Sequence, residues 1–212
     1  MYLSRIELDI SRHDTRRAIA SPQPLHAAIE GCFSDITGEK ARKLWRLDYL
    51  RECMYLLLVS PEKPNFARFS EQFCSSDTKE QIKDYRTVLA QIQAGQSFRF
   101  RLRGNPVHSI QREKGKRGKI LAHVTPEHQR GWLMKKAPAN GFELTECEFD
   151  VVETRLLRFR RTQKERPVEI NTAVFEGMLK VIDTGAFIQA LTLGIGRARA
   201  YGCGLLTIMA PK

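Results

Sequence analysis

His26 is the residue whose type and position could most directly move a proton. It falls early in "SPQPLHAAIEGCF", a stretch that reads as a helix. Ser21 can cap it, and Pro22 suits its first position. Leu25, Ala28, Ile29, Cys32 and Phe33 then recur along one face, with His26 at that face's margin. A helix N-terminus presents unpaired N–H groups and a positive potential, which suits a nearby phosphate. An imidazole there could take a proton from an attacking hydroxyl or return one to a leaving oxygen. Position alone leaves a structural or solvated histidine as the other reading.

Cations with strand spacing come next. Arg99, Arg101 and Arg103 are two apart in "QSFRFRLRGNPVHSI", opposite Phe98, Phe100 and Leu102. Period-2 alternation puts the arginines on one side of a strand and the apolar residues on the other. Fixed cations spaced along one surface are what phosphate neutralisation needs. "REKGKRGK" follows as a basic, glycine-broken turn carrying Lys114, Lys116, Arg117 and Lys119. Such a tip could enter a groove or clamp its phosphate walls. A third basic segment includes Arg155, Arg158, Arg160, Arg161, Lys164 and Arg166. From Gln96 to Trp132 there are nine Lys or Arg against two Glu. The whole chain has 35 Lys and Arg against 24 Asp and Glu, a net charge of +11. A surplus of that size points to a polyanion, nucleic acid above all.

Four glycines frame "GIGRARAYGCGLL" near the C-terminus. The stretch runs from a helix into a strand. Dinucleotide and P-loop fingerprints run the other way, so neither applies. Gly196, with Arg197 and Arg199, is expected to bring backbone amides and charge towards an anion. A helix cap followed by a strand-entry bulge is the alternative. Two His-x-Thr tripeptides, at His13 and His123, match the pair found in 2H-type cyclic phosphoesterases. That family sets both on buried strands, whereas "SRHDTRRA" is polar on both sides.

The elements that must hold these residues follow from periodicity. Residues 2–9 read as a strand and "SRHDTRRAIA" as a polar connection to the first helix. "RKLWRLDYL" and "ECMYLLLVS" read as two strands turning near Leu50–Arg51. A short helix at "PNFARFSEQF" and a closing strand at "KEQIKDYR" complete a β-α-β-β-α-β order. After a short helix leading to Gly95, the same order recurs: the arginine strand, a helix capped at "TPEHQRGWLMKKA", the strands of "FELTECEFDVVETRLLRFRR" and "VEINTAVFEGMLKVID", a helix ending at Gly194, and the strand "GLLTIMA". The expected fold is α+β: two tandem ferredoxin-like units, residues 1–93 and 94–212, the second with an added basic hairpin. No apolar run reaches the roughly 18 residues a membrane span needs. The charged opening residues do not read as a signal peptide. Five scattered cysteines without a CxxC pair read as reduced core residues of a cytoplasmic protein. Neither they nor the acidic residues suggest a metal or cofactor site.

Together these segments resemble the CRISPR repeat-processing endoribonucleases of the CasE type, a subunit of the type I-E Cascade complex. The resemblance is carried by "MYLSRIELD", "FRFRLRGNPVHSI", "KRGK", "FEGMLKV" and, most specifically, "GIGRARAYGCGLLTIMAP". It implies tandem ferredoxin-like domains that bind the hairpin of each CRISPR repeat transcript and cut once at its 3′ base. It implies a metal-independent reaction in which the neighbouring 2′-hydroxyl attacks the phosphate, leaving a 2′,3′-cyclic phosphate and a 5′-hydroxyl. The cut RNA then stays bound, alongside the other Cascade subunits. His26 takes the place of the family's catalytic histidine. Family members often carry a tyrosine one turn earlier, where this chain has Gln23, so the second catalytic group stays open, with Arg158 or Arg160 as candidates for stabilising the transition state. A non-catalytic RNA-binding module on the same fold remains the alternative.

Overall fold

A computed structural model describes residues 1–33, 42–110, 118–160 and 165–211. The first half begins with β1 (Tyr2–Leu8), whose alternation buries Ser4, Ile6 and Leu8. The expected polar connection is instead a helix, α1 (His13–Ala20), packed through Thr15 and Ala18. Its polar composition hid it, because two buried small residues suffice to seat it, and the Thr15 hydroxyl donates to the carbonyl of Phe73. Next is α2 (Pro22–Glu30), with Pro22 in its first turn. Ser21 precedes it in extended conformation, but its side chain makes no capping hydrogen bond, contrary to expectation. Leu25 and Ile29 are wholly buried, each contributing roughly 1.5–3 kcal/mol by leaving water. β2 (Leu44–Leu50) and β3 (Cys53–Ser60) pair antiparallel across a two-residue turn. α3 (Ala67–Phe73) and β4 (Gln81–Asp84) complete the unit. The sheet order is β2-β3-β1-β4, all antiparallel, as in a ferredoxin-like fold.

A one-turn helix, α4 (Arg86–Leu89), leads into the second half. β5 (Ser97–Gly104) stops at Asn105–Pro106, so the expected long arginine strand is two: β6 (Val107–Ile110) belongs to a separate ribbon with β7 (Lys119–Ala122). A proline has no N–H to give a ladder, which explains the break. The basic tip between β6 and β7, with Lys114, Lys116 and Arg117, lies outside the described residues, as does Arg161. α5 (Pro126–Lys136) is capped by Thr125. β8 (Phe142–Glu143) and β9 (Phe149–Phe159) both pair with the long β10 (Val168–Val181). α6 (Thr184–Leu193) and β11 (Leu206–Met209) close a sheet ordered β11-β5-β10-β8, with β9 also on β10. This is a second ferredoxin-like unit with an added ribbon. No helix among the described residues is long and apolar enough to cross a membrane.

The two units share a core. One face of the first sheet is covered by its own helices, around Ile6, Leu25, Ile29, Leu56 and Phe69. Leu44 and Val59 instead pack with Phe100, Leu102, Leu205 and Leu206 of the second unit.

Candidate functional site

β2 is the strand that joins the units, and Arg46 is its clamp. Arg46 is 1% exposed. It donates two hydrogen bonds to the Asp48 carboxylate, at 2.8 and 2.7 Å. It also donates to the carbonyls of Arg101 (2.7 Å) and Leu205 (2.9 Å), and to the Thr207 hydroxyl (2.8 Å). One planar cation thus links β2 to β5 and to the chain around β11, with its charge met by a buried carboxylate.

The glycine-rich loop lies against the same strand. After α6, Gly194 turns the chain with φ 78°, and a single turn at Arg199–Tyr201 follows Ala198, which is itself left-handed at φ 58°. Gly202 has φ +79°, and a Cβ there would stand 2.9 Å from the Trp45 ring. The loop therefore needs its glycines for close approach to the first unit. This close approach is a second demand on the loop, beside the anion contact expected of Gly196, Arg197 and Arg199.

Its consequence is the placement of Tyr201. The Tyr201 ring meets the His26 imidazole edge-on, with centroids 6.4 Å apart. On its other side Tyr201 meets Phe159 at 4.8 Å. Phe159 ends β9, with Arg158 before it and Arg160 after, both exposed. So α2, the glycine-rich loop and the basic end of β9 converge. His26 is 29% exposed, and its Nδ1 is buried, 3.9 Å from Glu30 Oε1 and beyond hydrogen-bond reach. Glu30 is itself engaged by Lys43 at 2.6 Å. Beside this point a cleft of about 200 Å³ opens between the units, lined among others by Pro22, Trp45, Arg101, Arg103, Arg155 and Tyr201.

The arginine face of β5 meets the protein more than the solvent. Phe100 and Leu102 are buried as expected, and Arg99 is exposed. But Arg101 is ion-paired with both Asp48 (3.2 Å) and Glu176, and Arg103 is 11% exposed near Glu153. Alternation placed the three on one face; Arg101 on that face pairs with Asp48 of the first unit, while Arg99 stays exposed. Arg158 is 67% exposed and pairs with Glu169 at 3.2 Å. Lys119 and Arg197 are partly or fully exposed, and Arg199 is half-buried. His13 opens α1 with its side chain 81% exposed, and His123 stacks on other histidines, so the two His-x-Thr tripeptides do not form the strand-borne pair of a 2H phosphoesterase. Cys32, Cys74 and Cys203 are buried, and burial pushes their thiols up to about 12, 11 and 12; they are core residues, not nucleophiles.

A family model described as CRISPR associated protein matches residues 1–210. The chain belongs to this family. Among curated family relatives, the CRISPR-associated endoribonuclease Cse3 of Thermus thermophilus is 27% identical over 219 aligned residues, covering 98% of this chain and 99% of that one. The Cascade subunit CasE of Escherichia coli is 30% identical over 156 residues, covering 70% of this chain and 76% of that one. A solved structure of Cse3 bound to 19 nt RNA is similar with a TM-score of 0.82 and 25% identity, covering 99% of this chain and all of that one. Tyr201 is the residue of this family member's site that sequence reasoning passed over. It sits inside the glycine-rich stretch, and no local pattern ties it to a helix at the other end of the chain.

Proposed function

We propose that this protein is an endoribonuclease that binds the hairpin of a CRISPR repeat transcript and cuts it at the 3′ base of that hairpin. The observation that carries the proposal is the convergence of His26, Tyr201 and the Arg158–Arg160 segment beside an arginine-lined cleft. Cleavage by the RNA's own 2′-hydroxyl needs no protein nucleophile and no metal. The 2′-oxygen bonds to phosphorus, the bond to the 5′-oxygen breaks, and the products are a 2′,3′-cyclic phosphate and a 5′-hydroxyl. His26 moves the proton. Its buried Nδ1 leaves Nε2 as the nitrogen that faces substrate, taking the 2′-hydroxyl proton or supplying one to the leaving oxygen. Arg158 and Arg160 stabilise the charge that builds on the pentacovalent phosphorus. Lys119, Arg99, Arg197, Arg199 and the basic hairpin tip contact the RNA backbone, while Arg101 mainly holds the joint between units, residues 1–93 and 94–212, and Arg103 lines the cleft beside it.

The names of the relatives support this reading, as does the RNA-bound structure of Cse3. The Cascade subunit among them supports a further step, retention of the cut RNA in an assembly with other Cascade subunits; we place that assembly in the cytoplasm. The test is incubation of the protein with labelled repeat hairpin RNA in EDTA. A single product ending in a cyclic phosphate is expected, and His26→Ala should slow its formation by roughly 10²–10⁴-fold while leaving RNA binding in place. A mobility shift without cleavage would make the protein a binding module only.

A further inference from the structure

Three of the chain's five histidines meet at the root of the β6–β7 ribbon, away from His26. His108 comes from β6, His123 follows β7, and His128 lies in the first turn of α5. The His108 and His123 rings are 4.5 Å apart at 33°, and the His123 and His128 rings 5.9 Å apart at 32°. The group is held firmly. The His123 amide donates to the Pro106 carbonyl at 2.9 Å. The His123 carbonyl accepts from Gln129 (3.0 Å), which is wholly buried, and from Asn171 (3.2 Å). His128 Nδ1 is hydrogen-bonded to the Thr125 hydroxyl at 2.8 Å. His108 and His128 are exposed, and His123 is half-buried.

These tilted, stacked rings are not arranged as ligands: among the described residues, no group of three or more His, Cys, Asp or Glu is placed to hold a metal ion. Nor does packing alone call for three imidazoles on a partly exposed surface, where apolar rings would stack as well. What distinguishes imidazoles is that each can take a proton near neutrality. The groups facing His123 are His108 from β6, and His128 and Lys135 from α5. From β10 the neutral Asn171 donates to the His123 carbonyl. Burial, then the neighbouring histidines and Lys135, hold His123 below its usual value. The protein alone therefore resists charging His123, and a bound anion would offset that resistance. The α5 N-terminus adds its own attraction for an anion at His128.

We infer that His108, His123 and His128 form a binding site for a backbone phosphate of the RNA, filled with the imidazoles protonated. This rests on the RNA-binding reading above. An anion on the stack raises the histidine pKa values in the complex, so binding takes up protons. Affinity then strengthens as pH falls through the range in which imidazoles take up protons.

The experiment uses the full chain carrying His26→Ala, which removes cleavage and the one other histidine near the proposed RNA path. Its dissociation constant for the labelled repeat hairpin is measured from pH 8 to pH 5.5 at fixed salt. A gain of about tenfold or more is expected on acidification, as each full unit of pKa shift is worth tenfold in binding. Adding His108→Asn, His123→Asn and His128→Asn should reduce that change to about twofold or less. His108→Asn with His128→Asn, both at exposed positions, serves if the triple variant melts early, and should remove most of the change. Variants that keep the full pH response overturn the site while leaving RNA binding intact. A His26→Ala protein that binds no hairpin RNA at any pH overturns the RNA reading and the site with it.

Discussion

His26 has little around it that would orient its ring by hydrogen bonding: Glu30 stands 3.9 Å from Nδ1 and is already engaged by Lys43. The Tyr201 ring edge is the aromatic contact it does have. At the scale of single residues, we propose Tyr201 as a positioning residue. Tyr201→Phe keeps the ring and should retain most of the cleavage rate. Tyr201→Ala should lower kcat by roughly 10- to 100-fold, as misplacement of a catalytic group does, with little change in RNA affinity. If Phe were as poor as Ala, the hydroxyl rather than the ring would be at work. His26 could be singled out as a candidate because a helix face and an N-terminus are local patterns, and the family resemblance supplied its expected role. Tyr201 was not, because its partner is contributed by the other unit.

Among elements, the glycine-rich loop is the one whose shape the function depends on. Gly202→Ala puts a Cβ against Trp45 at a residue with φ +79°. It should cost about 1–3 kcal/mol in backbone strain, shift Tyr201, and lower both melting temperature and cleavage rate. Gly95→Ala is the control: its φ is +87°, but nothing lies within 4 Å of the added carbon. It should lower stability while leaving cleavage nearly unchanged. The β2–β3 turn offers the opposite change. Arg51 and Glu52 hold φ of 48° and 67°, a conformation that costs a non-glycine residue roughly 1–2 kcal/mol. Glu52→Gly should therefore raise the melting temperature by about 2–4 °C, read by calorimetry. Strand and helix periods had located most elements, including this turn. They missed α1, whose burial rests on two small residues, and the break at Asn105–Pro106.

For the molecule as a whole, the joint between the two ferredoxin-like units is polar at its centre. Arg46 and Asp48 are 1% and 3% exposed, and removing one partner leaves the other charge buried and undercompensated. Arg46→Met should destabilise by about 3–5 kcal/mol. It should also split thermal unfolding into two transitions, because Arg46 ties β2 to β5 and β11. A single, merely lower transition would show that the apolar contacts around Leu44 and Val59 hold the units together unaided. In the sequence, "RKLWRLDYL" is an amphipathic strand, and nothing in it says that Arg46 is interior.

By itself the sequence determined most of the elements, the duplicated ferredoxin-like plan and the excess of positive charge, and its segments carried the family resemblance. The first three are properties of local spacing and composition, which a chain carries whatever its packing. Only the tertiary structure decided which way each face looks. It paired Arg101 of β5 with Asp48 of the first unit, set Tyr201 against His26, and gathered His108, His123 and His128 at the root of the ribbon. Those pairings depend on which distant surfaces bury one another, and neither a period of two nor one of 3.6 residues records that choice.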